Sequence, residues 1–144
     1  MGPVVIPVID TSILVRYLTQ DDADMGAAAA RLLDGEGDVG IGLVALAETA
    51  YVLTHHYGVP RSETVDCLVA VVRKRNIQVL GADRVLVADC LLLCRPSGRV
   101  SFADALILAE ARSVGARTVW SFDARFPAAG ITPRRPEGGP ATDA

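Results

Sequence analysis

Four short β-rich runs, VVIPVID, VGIG, IQVL and TVWSFD, alternate along this chain with stretches of helical periodicity. Strands separated by helices cannot pair as hairpins. They pair in parallel, and a parallel sheet needs helices over both faces. The alternation therefore predicts an α/β fold, in which the carboxyl ends of the strands form the binding crevice.

The helical stretches carry their own boundaries. TSILVRYLTQ follows Asp10 at once and puts Ile13, Leu14, Tyr17 and Leu18 on one face. Asp21 and Asp22 are expected to cap the next helix, Gly58 to close the one after it, and Pro60 to open a fourth. Ser101 and Gly115 bracket SFADALILAEARSVG in the same way. Beyond Ile131 the sequence is rich in Pro and Gly and nearly free of apolar residues, so residues 132–144 are expected to be a disordered tail behind one domain, 1–131.

Composition narrows the class further. With 144 residues, 51% of them hydrophobic, the chain can bury about 70% of its unfolded surface without disulfides. Cys67, Cys90 and Cys94 are odd in number, lack CxxC spacing and sit in apolar runs, which reads as reduced core thiols. The amino-terminal segment has no basic region ahead of its apolar residues, so it does not read as a signal peptide. Glu48 and Asp89 interrupt the longest apolar runs well before the ~20 residues of a membrane span. A cytoplasmic protein with no membrane contact is expected.

Acidic residues carry the chemical signal. Asp10 ends the first strand and Asp123 follows the last, so both should face the crevice. Each also has a plainer reading, Asp10 as a helix cap and Asp123 as the start of a turn. Asp104 matches a capping box with Ser101. Glu48 has only apolar helical neighbours, Val44, Ala45, Tyr51 and Val52, so its carboxylate is expected to need a cation or a raised pKa. Asp89 raises the same question, but its helix can turn it to solvent. Carboxylates gathered without lysine suit a hard cation, Mg²⁺ or Mn²⁺, which can bridge to phosphate and activate water. Lys74 is the only lysine, and it precedes the IQVL strand, where a receiver-type or haloacid-dehalogenase-like site could not use it. No GxxxxGK[ST] phosphate loop is present.

Taken together, VIDTSILVRYLTQDD, ALAETAYVL, SFADALILAEAR and TVWSFDARF, in this order and spacing, resemble PIN-domain proteins, and most closely the VapC toxins of toxin-antitoxin pairs. The resemblance spans about residues 4 to 131. It implies a three-layer α/β/α fold with a central, mostly parallel sheet of about five strands. It implies that Asp10, Glu48, Asp104 and Asp123 are the catalytic acidic set and bind Mg²⁺ or Mn²⁺. Ser12 and Ser121 match hydroxyl positions that orient the carboxylates or metal-bound water; serine at Ser121, where threonine is commoner, keeps the hydroxyl. The implied activity is metal-dependent endoribonuclease cleavage of cellular RNA, restrained by a cognate VapB-like antitoxin whose segment occupies the groove. The family usually forms homodimers. The alternative is a non-catalytic PIN module that binds RNA or protein as a scaffold.

The net charge of -3 runs against an RNA partner, since phosphate contacts come from basic patches. Two bound divalent cations would bring it to +1. Arg73, Lys74, Arg75, Arg95, Arg99, Arg112 and Arg125 are candidates for a local cluster, with ordinary solvated charges as the plainer reading. His55 and His56 end a helix and are expected to serve its dipole rather than catalysis.

Overall fold

Asp10 ends the first strand and starts the first helix in a single residue. Its extended backbone terminates β1 (Val8–Ile9), and its side chain accepts a hydrogen bond from the Ile13 amide at the head of α1 (Thr11–Thr19). In the computed structural model, which describes residues 5–137, the same economy recurs along the chain. Asp22 caps α2 (Ala23–Leu33) by accepting from the Met25 amide at 2.8 Å. After β2 (Val39–Ile41) come α3 (Leu43–His55) and α4 (Arg61–Val72), and after β3 (Ile77–Val79) comes α5 (Arg84–Leu92), capped by Asp83. Helix α6 (Phe102–Ser113) is capped by Ser101, and β4 (Thr118–Trp120) and β5 (Thr132–Arg134) complete the order. The stops expected at Gly58 and Gly115 are there, with φ of 64° and 75°, a region that favours glycine.

All strand pairs are parallel. The order β1-β2-β3 sets Ile9 against Ile41 and Ile41 against Val79, so the carboxyl ends of β1 and β2 leave the same edge as α1 and α3. Ile9, Val39, Ile41 and Ile77 are buried beneath Leu14, Leu33, Leu46, Leu68, Leu91 and Leu108 from the helices. Helix α3 packs against α1, α4 and α6 and holds the assembly together.

Long-range polar contacts fix the connections. The Arg61 guanidinium lies 4.5 Å above the Phe102 ring and donates to the carbonyls of Cys94 and Val100, fastening the loop before α6 to the head of α4. Asn76 reaches the carbonyls of Leu33, Gly35 and Gly37 and ties the α2–β2 loop to β3. Asp21 accepts from Tyr57 and pairs with Arg16, joining the carboxyl-terminal ends of α1 and α3.

Three expectations change. Of the two aspartates expected to cap α2, only Asp22 does so, because Asp21 is engaged by Arg16 and Tyr57. The single sheet of about five strands is, among the described residues, a sheet of three and a separate pair, β4-β5. Strand β1 is two residues long, and Pro7 before it has no amide to donate. The expected tail loses its first residues to order, since Thr132–Arg134 form β5 against β4. Pro133 is tolerated in an edge strand because the flanking bonds, Thr132 amide to Arg117 carbonyl and Ser121 amide to Arg134 carbonyl, do not need its nitrogen. Residues 138–144 of that tail lie outside the described residues.

Cys90 and Cys94 are buried free thiols, and burial pushes Cys94 up to about 11; Cys67 is only half-buried. No helix among the described residues is long and apolar enough to cross a membrane.

The capping geometry at Asp22 gives a direct test. Asp22→Ala should lower stability by about 1 kcal/mol, or roughly 2 to 4 °C in melting temperature for a domain of this size, whereas Asp22→Asn should change little. Thermal melts followed by circular dichroism check both.

Candidate functional site

Two of the expected acidic residues are held by the hydroxyls paired with them in sequence. Ser12 Oγ donates to Asp10 Oδ1 at 2.6 Å, and that same oxygen accepts from the Ile13 amide at 3.3 Å. The Ser12 hydrogen bond, followed by the Ile13 amide, holds the Asp10 carboxyl below the usual carboxylate range. Ser121 Oγ accepts from the Asp123 amide at 2.9 Å, and Asp123 Oδ1 accepts from the Arg125 amide at 2.8 Å. Asp10 is thus both a cap and an exposed anion at a strand end, while Asp123 is fixed at the start of a turn.

Asp104 sits in the first turn of α6, where its amide donates to Ser101 Oγ at 3.0 Å. Only that half of the capping box forms. Among the described residues no hydrogen bond reaches the Asp104 side chain, so its carboxylate is unengaged there. Glu48 lies one and a half turns into α3, and here the sequence reasoning needs correcting. Val44 is 80% exposed and Tyr51 55% exposed, so two of the apolar neighbours that flagged Glu48 are themselves on the surface with it. Ala45 and Leu46 carry the buried face of that helix instead. Asp89 is exposed, as its helix allows.

Asp21, Asp34, Asp66 and Glu137 are paired with Arg16, Lys74, Arg95 and Arg135, whereas Asp10, Glu48, Asp104 and Asp123, like most of the other described carboxylates, form no salt bridge among the described residues. As donors they are all oxygen, the kind a hard divalent cation takes. They are not gathered in number: among the described residues no group of three or more His, Cys, Asp or Glu side chains is placed to hold a metal ion.

The seven candidate basic residues do not form one patch. Lys74 is paired with Asp34 at 2.9 Å and Arg95 is doubly hydrogen-bonded to Asp66, while Arg112 packs under Gly130. Arg75 lines a polar hollow with Glu36 and Asp38, whereas Arg99 and Arg125 line a groove of about 770 Å³ with Phe126 and Pro133. A second groove, apolar and of about 520 Å³, runs between the end of α3 and the start of α6, lined by Ala47, Tyr51, His55, Phe102 and Ala103. Ala47 and Ala103 are the immediate neighbours of Glu48 and Asp104. His55 ends α3 and His56 follows it, as expected, but His55 also stacks on Tyr51 at 4.2 Å and walls this groove. Sequence reasoning expected a groove from the family resemblance but named no walls for it, because they come from two helices far apart in the chain.

Comparison with known proteins follows the same outline. A family model described as PIN domain matches residues 8–131. Among solved structures the chain is similar to the crystal structure of the Mycobacterium tuberculosis VapC20 toxin, a sarcin-ricin loop cleaving toxin, at 26% identity. That likeness covers 88% of this chain and 96% of the other, with a TM-score of 0.39. No curated protein matches.

The Asp10–Ser12 contact has a measurable sign. A carboxyl held below its unfolded pKa contributes stability that is present above about pH 4 and is lost as pH falls through the folded value. Carboxyl-carbon NMR should show Asp10 titrating below 3.8, and Ser12→Ala should move that midpoint upward. An unchanged midpoint in Ser12→Ala would remove Ser12 as its cause.

Proposed function

Because this chain belongs to the PIN domain family, we propose that it is a metal-dependent endoribonuclease toxin of a toxin-antitoxin pair. The observation that carries the reading is the family match and the acidic residues inside it: Asp10, Glu48, Asp104 and Asp123 fall in four ordered motifs within residues 8–131, with Asp10, Glu48 and Asp123 exposed. These four would hold Mg²⁺ or Mn²⁺, which when bound supplies a Lewis acid and lowers the pKa of water for attack on a phosphodiester. The chain's own part is to keep the anions ionised and oriented. Ser12 does this for Asp10, Ser121 pins the backbone of Asp123, and Ser101 leaves the Asp104 carboxylate unengaged by binding its amide.

The partners follow from the same surfaces. RNA would approach the carboxylates, and a VapB-like antitoxin would lay an apolar segment in the groove between α3 and α6, close to Glu48 and Asp104. A homodimer acting in the cytoplasm completes the proposal. A second reading, a non-catalytic PIN module, is favoured by the absence of a gathered three-donor group among the described residues.

Cleavage assays separate the two. Asp10→Asn and Asp104→Asn should each lower RNA cleavage by roughly 100-fold or more, the scale on which single electrostatic stabilisers of a transition state act. Both should keep the wild-type circular dichroism, since Asn caps a helix about as well as Asp and Asp104 contributes only its amide to the cap. Wild-type protein that leaves RNA intact in both Mg²⁺ and Mn²⁺ would support the scaffold.

A further inference from the structure

The chain is poor in aromatic residues, with three Phe, three Tyr and one Trp. It nevertheless leaves Trp120 62% exposed and Phe122 65% exposed, on either side of Ser121 and within three residues of Asp123. Nothing in the core accounts for them. Phe126, from the same segment, is buried, so the segment does use an aromatic side chain for packing where packing is needed. Each exposed ring has an arginine beside it. Trp120 is in register with Arg134 on the neighbouring strand, both exposed, while Val119 and Pro133 on the opposite face are half-buried. The Arg135 guanidinium lies 5.4 Å over the Phe122 ring, with Arg135 Nε 3.7 Å from Glu137. Arg134 has no salt bridge among the described residues.

From this geometry we infer that Trp120 at the end of β4 and Phe122 just past it, with Arg134 and Arg135 beside them, are a platform on which unpaired RNA bases stack, delivering the strand to Asp123. Exposed rings at a strand end offer flat apolar faces that any base can cover, and arginines beside them meet the phosphates between bases. Duplex RNA hides its bases in its own stack and gains nothing from the rings. The platform therefore selects single-stranded segments, loops and bulges. A protein partner would use the same aromatics and arginines as contact anchors. RNA is favoured because the rings flank the hydroxyl and carboxylate of the site. The inference rests on the ribonuclease reading for its substrate and deepens it by naming the structural class of RNA and the residues that choose it.

Trp120 is the only tryptophan, so its fluorescence reports the platform directly. Full-length protein in chelator is titrated with a mixed-sequence single-stranded RNA of about twelve nucleotides, within the length one such surface spans, and with the same sequence as a blunt duplex. The single strand should quench Trp120 and the duplex should leave it unchanged. By fluorescence anisotropy of labelled RNA, Trp120→Ala and Phe122→Ala should each raise Kd roughly 5- to 100-fold, the range of one lost base stack. Trp120→Tyr should restore most of the affinity. If wild type cleaves RNA but single strand and duplex act alike, or the alanine variants keep wild-type Kd and KM, the platform is wrong and the ribonuclease reading stands. If the alanine variants change oligomeric state on size exclusion and leave RNA binding untouched, the face is a protein contact and the inference falls. Quenching by single strands from a protein that never cleaves RNA would uphold the platform and overturn the nuclease.

Discussion

Parallel pairing between very short strands is the constraint on which the rest depends. Strands β1, β2 and β3 are two or three residues long and offer few ladder hydrogen bonds. Their alignment is maintained by the helices, whose leucines close over Ile9, Ile41 and Ile77, which the register places on one face of the sheet. The steps from β1 to β2 and from β2 to β3 each run through helices, so the chain returns to the same edge at each of these strands, whereas β4 reaches its parallel partner β5 through a loop. That repetition brings Asp10 and the start of α3 to one edge, although more than thirty residues separate them.

The fold was legible wherever a local rule and the tertiary arrangement agreed. Asp10, Asp22 and Ser101 read as helix starts and are caps; Gly58 and Gly115 read as stops and take positive φ. The sequence was less informative where a residue's role is assigned from a distance. Asp21 looks no different from Asp22, and only the arrival of Tyr57 from α3 removes it from capping. Thr132–Arg134 looked like tail because composition describes average behaviour, while an edge strand needs only a few unblocked hydrogen bonds. The division into two sheets has no sequence signal, since the number of strands does not say which edges meet.

Legibility of the site divides along the same line. Ser12 beside Asp10 and Ser121 beside Asp123 are two residues apart, and their hydrogen bonds are within reach of any reading of DTS and SFD. Glu48 was misplaced because hydrophobic neighbours at helical spacing indicate a shared face without saying whether that face is covered. Val44 and Tyr51 show that here it is open. A surface stripe of this kind and a buried one have identical periodicity. The exposed Trp120 fell into the same ambiguity, since alternation in a strand distinguishes two faces but does not identify the buried one, and Phe122 lies past the end of β4.

The Arg61 clasp separates where a defect originates from where it is felt. This side chain belongs to α4, yet it grips the backbone at Cys94 and Val100 and the ring of Phe102, and so sets where α6 begins. Asp104 rides on that first turn. On the nuclease proposal, random mutagenesis scored for lost function would recover changes at Arg61 together with changes at the carboxylates, although Arg61 need never meet a substrate. Lysine there would keep the charge and lose the planar fork that spans two carbonyls and a ring. In a genetic map of this chain, Arg61 would sit with the proposed site residues by phenotype and with the scaffold by chemistry.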